Sequence, residues 1–187
     1  TITYSYTSSA GCSANTSSTI VVNSLPTVTL ANFQAVCNGS APMTLSGGSP
    51  AGGVYSGNGI TNNIFTPATV GIGTTTVTYT YTDANSCSAN ATNTITVNAG
   101  AAVTLGSFTP VCDNSSAINL TSGSPAGGTY SGTGVSGTTF NPTTSGAGTF
   151  AITYSYTNAN GCVSTAQSNI VVNAVTAASM ATPQAVC

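Results

Sequence analysis

The fold is decided by residues 76–98, which read TVTYTYTDANSCSANATNTITVN. Near the start of this stretch, Val77, Tyr79 and Tyr81 alternate with threonines. Side chains of a β-strand point to opposite faces in turn, so these three residues share one face and the threonines share the other. The stretch therefore begins with a strand that buries one face and leaves a hydroxyl-rich face towards solvent.

The same stretch predicts a hairpin, because residues 83–86 are turn formers and the alternation returns in Thr92–Val97. No segment of the chain has helical periodicity. Shorter strand patterns occupy Thr27–Leu30, Met43–Ser46, Val54–Ser56 and Ile64–Thr66. Six or seven short strands per unit, separated by Gly, Pro and Asn turns, predict an all-β fold of tandem immunoglobulin-like β-sandwich repeats of about 75 residues.

An internal repeat organises the chain. Cys12, Cys87 and Cys162 stand 75 residues apart, and the other three cysteines, Cys37, Cys112 and Cys187, keep the same spacing. The spacing predicts a C-terminal part of a preceding repeat in residues 1–25, full repeats in 26–99 and 100–174, and the N-terminal stub of a following repeat in 175–187. Because the sequence opens inside a strand pattern, we expect it to be a segment of a longer protein.

Charge is almost absent. The 187 residues contain no Lys, Arg or His and two acids, for a net charge of −2. Binding to nucleic acid or to anionic membranes needs clustered basic residues, so both functions are excluded. No apolar run approaches the roughly 20 residues of a membrane helix, so we expect no membrane insertion in this segment.

The same composition argues against catalysis and cofactors. A nucleophilic Ser or Thr needs a base, and no His or Lys is present to supply one. The two acids, Asp83 and Asp113, lie in different repeats at positions where the other full repeat carries Asn158 and Asn38. We therefore predict turn roles for both acids, no enzymatic activity, no catalytic or cofactor-binding residues and no metal site.

The six cysteines predict disulfides rather than a metal site, because no His and no Cys-x-x-Cys motif accompanies them. Disulfides in turn predict an oxidising compartment outside the cytoplasm. Pairing within each repeat is favoured because a self-contained unit can oxidise whatever the number of copies, although a standard sandwich places the two turns concerned at opposite ends. That scheme joins Cys37 to Cys87 and Cys112 to Cys162 and leaves Cys12 and Cys187 without partners; its rival joins Cys12–Cys37, Cys87–Cys112 and Cys162–Cys187.

Two kinds of strand face could serve as ligand surfaces. Tyr79 with Tyr81, and Tyr154 with Tyr156, could stack on sugars, but their alternation with Thr favours core packing. Their opposite faces present hydroxyls at every second residue, and a solvated sheet surface is the favoured interpretation of that pattern.

A family resemblance rests on motifs shared by the repeats. The run Gly-Gly-x-Tyr-Ser-Gly-x-Gly is followed by Phe-x-Pro and then by Thr-Tyr-x-Tyr-Thr-x-Ala-Asn-x-Cys. These motifs resemble the PKD-like and Ig-like repeats of very large Bacteroidetes cell-surface proteins, which are typically exported by the type IX secretion system and include gliding-motility adhesins. The resemblance implies extracellular modules on a bacterial cell surface that serve as stalks or spacers.

Together these features predict a structural repeat segment of a long extracellular bacterial filament or giant surface adhesin. Its expected partners are neighbouring repeats and other copies of itself in a fibre, because a chain with almost no charge has little repulsion to oppose association. The alternatives are a glycan- or ice-binding module that uses the Tyr or Thr faces, and spacer domains within a secreted multidomain enzyme.

Overall fold

A computed structural model describes residues 1–181. Cys187, and with it the end of the predicted stub, lies outside the described residues. Nearly all of the regular secondary structure in the described residues is β-strand, which confirms the all-β prediction. The immunoglobulin-like assignment and the repeat boundaries stay predictions.

The strands recur with the period of the sequence. A first hairpin consists of β1 (Ile2–Thr7) and β2 (Ser13–Ser18). The next elements are β3 (Thr29–Leu30), β4 (Val36–Cys37), β5 (Met43–Thr44), β6 (Gly48–Ser49), β7 (Val54–Ser56), β8 (Ile60–Thr61), β9 (Ile64–Phe65), α1 (Pro67–Val70), β10 (Gly73–Thr82) and β11 (Ser88–Asn98). The second set follows in the same order: β12 (Thr104–Leu105), β13 (Val111–Cys112), β14 (Ile118–Asn119), β15 (Gly123–Ser124), β16 (Thr129–Ser131), β17 (Val135–Ser136), β18 (Thr139–Phe140), α2 (Pro142–Ser145), β19 (Gly148–Thr157) and β20 (Val163–Asn173).

The chain forms two compact units. The first unit comprises residues 1–34, 41–70 and 74–95, and the second comprises residues 35–40, 71–73 and those from 96 onward. The second unit thus contains β4 and the last three residues of β11 in addition to the second repeat.

In the second unit, one four-stranded sheet has the order β13-β20-β19-β16. The long strands β19 and β20 pair antiparallel along their whole length, from Gly148 opposite Val172 to Thr157 opposite Val163. The short strand β13 pairs parallel with the end of β20, and this pairing places Cys112 opposite Asn173. Smaller sheets, β14-β18-β17 and β12-β15, complete the unit.

The core of the second unit is apolar and tightly closed. Its buried residues are Leu120, Phe140, Ile152, Ile170 and Val172. Ile152 and Ile170 come from β19 and β20, where their neighbours in the strand are exposed or half-buried, as the period-2 pattern requires. Each such side chain contributes about 1.5–3 kcal/mol by leaving water.

In the first unit, β10 and β11 form the predicted hairpin, and β7 pairs antiparallel with β10 so that Tyr55 lies opposite Tyr79. The backbone N–H of Asp83 donates to the carbonyl of Cys87 over 3.0 Å and closes the turn. Val77 and Tyr79 are buried, as the alternation in the quoted stretch predicts.

In the hairpin β1–β2, side chains whose equivalents in the second full repeat are buried are exposed. Ile2 and Tyr4 are 59% and 67% exposed. Their equivalents 150 residues later, Ile152 and Tyr154, are 0% and 2% exposed. One apolar face of this hairpin is therefore open to solvent.

Two one-turn helices correct the expectation that the chain contains no helix. Each follows a Phe-x-Pro motif and begins at the proline, Pro67 or Pro142. A proline in the first helical position needs no hydrogen bond for its nitrogen, and its φ is already helical. Asn141 caps α2 by accepting a hydrogen bond from the backbone N–H of Thr143. A helix of one turn is too short to have a periodic signal.

Candidate functional site: a disulfide between two repeats

The site of chemical interest in the second unit is a disulfide between Cys37 and Cys162. The two sulfurs are 2.00 Å apart and the Cα atoms are 5.6 Å apart, within the range of protein disulfides. The bond spans 125 residues of sequence, and so it joins cysteines from two different 75-residue repeats.

Strand β4 holds Cys37 in place. Val36 pairs parallel with Val97 and Cys37 with Asn98, at the last two residues of β11. The backbone N–H of Asn38 donates to the carbonyl of Asn98 over 3.0 Å and extends this pairing. Cys37 thus lies beside the point where the chain leaves the first repeat.

A tight turn after β19 holds Cys162. The side-chain oxygen of Asn158 accepts hydrogen bonds from the backbone N–H groups of Asn160 and Cys162, each over 3.0 Å. Asn and Asp favour such turns because their side chains can bond the backbone two to four residues on. Gly161 has a φ of 77°, a conformation in which glycine has no Cβ to clash.

The turn also binds the backbone that joins the repeats. The Nδ2 group of Asn158 donates to the carbonyl of Ala99 over 2.8 Å, and Cys162 is 1% exposed. This bond and the disulfide fix the turn of the second repeat against residues 98–99 and β4. The amide of Asn158 therefore has two roles, and only the oxygen's role follows from the local sequence.

The observed disulfide corrects the predicted pairings. Neither scheme contains Cys37–Cys162, so Cys37 is not bonded to Cys87 or Cys12, and Cys162 is not bonded to Cys112 or to Cys187, which lies outside the described residues.

The physical reason for the correction is strand length. Cys112 lies opposite Asn173 at the end of β20, whereas Cys162 directly precedes the start of that strand at Val163. Eleven residues of strand separate the two ends by about 33 Å, far beyond the reach of a disulfide. Pairing within a repeat is therefore excluded. The cysteine in the turn, Cys162, instead bonds Cys37 of the repeat before it.

The remaining described cysteines carry free thiols. Within residues 1–181, these are Cys12 and Cys112, both exposed, and Cys87, which is half-buried. The rival pairing of Cys87 with Cys112 is thus not formed.

The buried hydroxyls of Tyr79 and Tyr154 each bond two backbone groups, and we call each of them a tyrosine latch. The hydroxyl of Tyr79 accepts a hydrogen bond from the N–H of Gly53 over 2.7 Å and donates one to the carbonyl of Pro50 over 2.5 Å. Tyr154 does the same with Gly128 and Pro125 in the second unit. The aromatic rings are packed as well, since Tyr79 lies 4.7 Å from Tyr55 between ring centroids.

The two kinds of strand face that could bind ligands differ in exposure. Tyr79 and Tyr154 are each 2% exposed, and Tyr81 and Tyr156 are half-buried. In the hydroxyl-bearing faces, Thr78, Thr80, Thr153 and Ser155 are half-buried, whereas Thr76, Thr82 and Thr157 are exposed.

The two acids lie in turns, as predicted. One carboxylate oxygen of Asp83 accepts from the backbone N–H groups of Asn85 and Cys87, each over 2.9 Å. Asp113 accepts from the N–H of Val175 over 3.2 Å. Among residues 1–181, no three His, Cys, Asp or Glu side chains cluster as a metal site would require. An open depression of about 330 Å³ beside Phe108, Val111 and Ile118 has no ionisable side chain in its lining.

Membrane crossing by a helix finds no support in the described residues, where no helix has the length and apolar character needed.

Comparison with known proteins gives structural likenesses but no family. No protein-family model matches the chain, and no curated protein sequence matches it. Among solved structures, the chain is similar to one described as "Ca2+-stabilized adhesin helps an Antarctic bacterium reach out and bind ice", with a TM-score of 0.40 and 17% sequence identity. The likeness covers 93% of this chain and 56% of the other, so this chain spans little more than half the length of that structure.

Proposed function

We propose that this chain is a structural segment of a long extracellular bacterial filament or giant surface adhesin. The observation that carries the proposal is the Cys37–Cys162 bond, which ties one sequence repeat to the next. A binding module or a catalytic domain works as a closed unit and does not need its sequence neighbour. A load-bearing array gains from such a tie, because each covalent link limits how far one repeat can separate from another.

The same bond supports an extracellular location. Disulfides persist in oxidising surroundings outside the cytoplasm and are rare where thiols are kept reduced. The composition fits an exposed life there, because the chain contains no Lys or Arg at which trypsin-like proteases could cut. We infer that the segment is displayed at a bacterial cell surface or beyond it.

Self-association belongs to the proposal and is supported by the low charge. A net charge of −2 over 187 residues gives little repulsion between copies. Like copies can therefore pack side by side, as a fibre requires.

Electron microscopy of the oxidised chain over a range of protein concentrations tests this function. We expect regular polymers whose axial repeat is a multiple of one repeat's length. Adding charge at two exposed strand positions, Thr92→Lys with Thr165→Lys, should disperse the polymers, whereas the uncharged pair Thr92→Gln with Thr165→Gln should leave them intact. Dispersed monomers of the parent chain that bind glycans saturably would contradict the proposal and favour a binding module.

A further inference from the structure

The observed disulfide joins two different positions of the repeat, one in each of two consecutive repeats. One cysteine, Cys37, is the last residue of β4 and lies near the start of its repeat, so we call it a repeat-start cysteine. The other, Cys162, is the turn cysteine of the following repeat. The period of 75 residues places Cys112 at the position of Cys37 and Cys87 at the position of Cys162. Of the two free thiols in the full repeats, Cys112 is thus a repeat-start cysteine and Cys87 is a turn cysteine.

The two repeat-start cysteines, Cys37 and Cys112, have the same backbone contacts. The backbone N–H of Cys37 donates to the hydroxyl of Ser40 over 3.2 Å, and that of Cys112 donates to Ser115 over 3.2 Å. Both cysteines pair parallel with the end of a long strand, opposite Asn98 and Asn173 respectively. Cys112 is therefore held as Cys37 is, and it is exposed.

The two turn cysteines are also built alike. Cys87 donates its backbone N–H to the Asp83 side chain over 2.9 Å, as Cys162 does to Asn158 over 3.0 Å. The backbone bond that closes the turn is 3.0 Å long in both, from Asp83 to Cys87 and from Asn158 to Cys162.

The only two charged side chains of the sequence lie beside these two free thiols. Asp113 directly follows Cys112, and Asp83 shapes the turn of Cys87, whereas the bonded pair has Asn38 and Asn158 at these positions. Joining Cys112 to a turn that contains Asp would bring two carboxylates to one junction. A turn that contains Asn avoids this repulsion, and its Nδ2 group can donate to the joining backbone as Asn158 does.

We propose that Cys112 and Cys87 are docking cysteines for further repeats of this same kind. Cys112 bonds the turn cysteine of a repeat that follows, with Asn at its turn position. Cys87 bonds the repeat-start cysteine of a preceding repeat in which Asn directly follows that cysteine. Each pair of consecutive repeats thereby carries one disulfide in the same register as Cys37–Cys162.

The reaction is thiol–disulfide exchange with a low-molecular-weight disulfide such as oxidised glutathione. The two cysteine thiols lose two protons and two electrons and form one S–S bond. The small disulfide takes up both electrons and both protons and leaves as two thiols. This inference and the proposed function both rest on the Cys37–Cys162 bond, but the register of further disulfides can fail while the filament role stands.

A tandem protein tests the register. The full chain is extended so that residues 100–174 occur twice in succession, oxidised with glutathione, alkylated, and cut with chymotrypsin without reduction. The two turn-cysteine peptides differ in mass because only the last copy is followed by Val175. With Cys112 of the added copy replaced by Ser, so that one Cys112 remains, we expect the peptide with Cys112 to be linked to the turn peptide of the added copy in most molecules, alongside the Cys37–Cys162 link.

Controls make the outcome specific. Cys112→Ser should abolish the new link and leave Cys37–Cys162 in place, and Asn158→Asp in the added copy alone should lower the yield of the new link several-fold. A protein with residues 25–99 duplicated instead tests Cys87 by the same map and serves if the first tandem misfolds. An added turn cysteine that stays alkylated as a free thiol, or that bonds Cys87, would overturn the proposal.

Discussion

At the scale of single residues, buried hydroxyl and amide groups do the work that charged groups do in most proteins. Tyr154 is 2% exposed, yet its hydroxyl bonds both Gly128 and Pro125. A Cβ on Gly128 would lie 2.4 Å from the carbonyl oxygen of Ser155, so this close approach requires glycine. The tyrosine is therefore a structural latch and not an open sugar platform.

The latch predicts a cost for removing one oxygen. In Tyr154→Phe, the N–H of Gly128 and the carbonyl of Pro125 lose their partner, so we expect the free energy of unfolding to fall by about 1–3 kcal/mol. Tyr156→Phe, at a half-buried position, is the matched control and should change it by less than about 0.5 kcal/mol. Urea unfolding measures both, and equal midpoints for the two variants would contradict the latch.

The amide of Asn158 predicts a second residue-scale effect. Asn158→Asp keeps the oxygen that bonds Asn160 and Cys162 but replaces the Nδ2 donor to Ala99 with an acceptor. A lost bond of about 1.4 kcal/mol should make the Cys37–Cys162 bond about tenfold easier to reduce. Titration in glutathione redox buffers measures this. Asn160→Asp adds the same charge two residues away and should leave the equilibrium unchanged; equal shifts for both variants would assign the effect to charge alone.

At the scale of elements, the long strands and four short ones, β3, β5, β7 and β9, could be predicted from the sequence, whereas β4, β6 and β8 could not. The alternation around Tyr79 and the turn after it have a strong period-2 signal, so β10, β11 and their hairpin were predicted, although both strands extend beyond the predicted ranges. Strand β4 has two residues and gives no periodic signal. Its parallel pairing with the far end of β11 depends on the tertiary fold, and this pairing decides which cysteine Cys37 can reach.

The site was only partly predictable for the same reason. The six cysteines, their disulfide chemistry and the turn at Cys162 all follow from composition and spacing. Which thiols meet depends on how the start of one repeat lies beside its own last strand. The repeated Ser at the third position after the cysteine, Ser40 and Ser115, was the available local signal for a defined backbone there.

The helix α2 predicts an element-scale effect. Asn141→Ala removes the side chain that caps the N–H of Thr143, so we expect a loss of about 1 kcal/mol in unfolding free energy. Asn169→Ala, at an exposed position in β20, is the control for the same substitution and should have little effect. Chemical denaturation checks both, and an unchanged midpoint for Asn141→Ala would show that the cap contributes nothing.

At the scale of the whole molecule, the disulfide stabilises a long stretch of chain. A bond that closes 125 residues removes much of the conformational freedom of the unfolded state. Replacing both cysteines in Cys37→Ala with Cys162→Ala should lower the free energy of unfolding by about 2–5 kcal/mol. Cys112→Ala removes an exposed free thiol and should leave it unchanged. Matching urea midpoints for the double variant and the parent would contradict a structural role for the bond.

The central claim is that consecutive repeats are joined covalently through Cys37 and Cys162, and a non-reducing peptide map of the oxidised chain tests it most directly. Chymotrypsin cuts after Tyr, Phe and Leu, so cuts after Phe33, Leu45 and Tyr156 put the two cysteines in separate peptides. The peptide that follows Tyr156 also contains Cys187, so fragmentation of the linked pair assigns the bond to Cys162 or to Cys187. We predict that these two peptides are linked to each other and separate on reduction. A peptide containing Cys37 that is linked instead to one containing Cys87 would show that each repeat closes on itself, and would contradict the account.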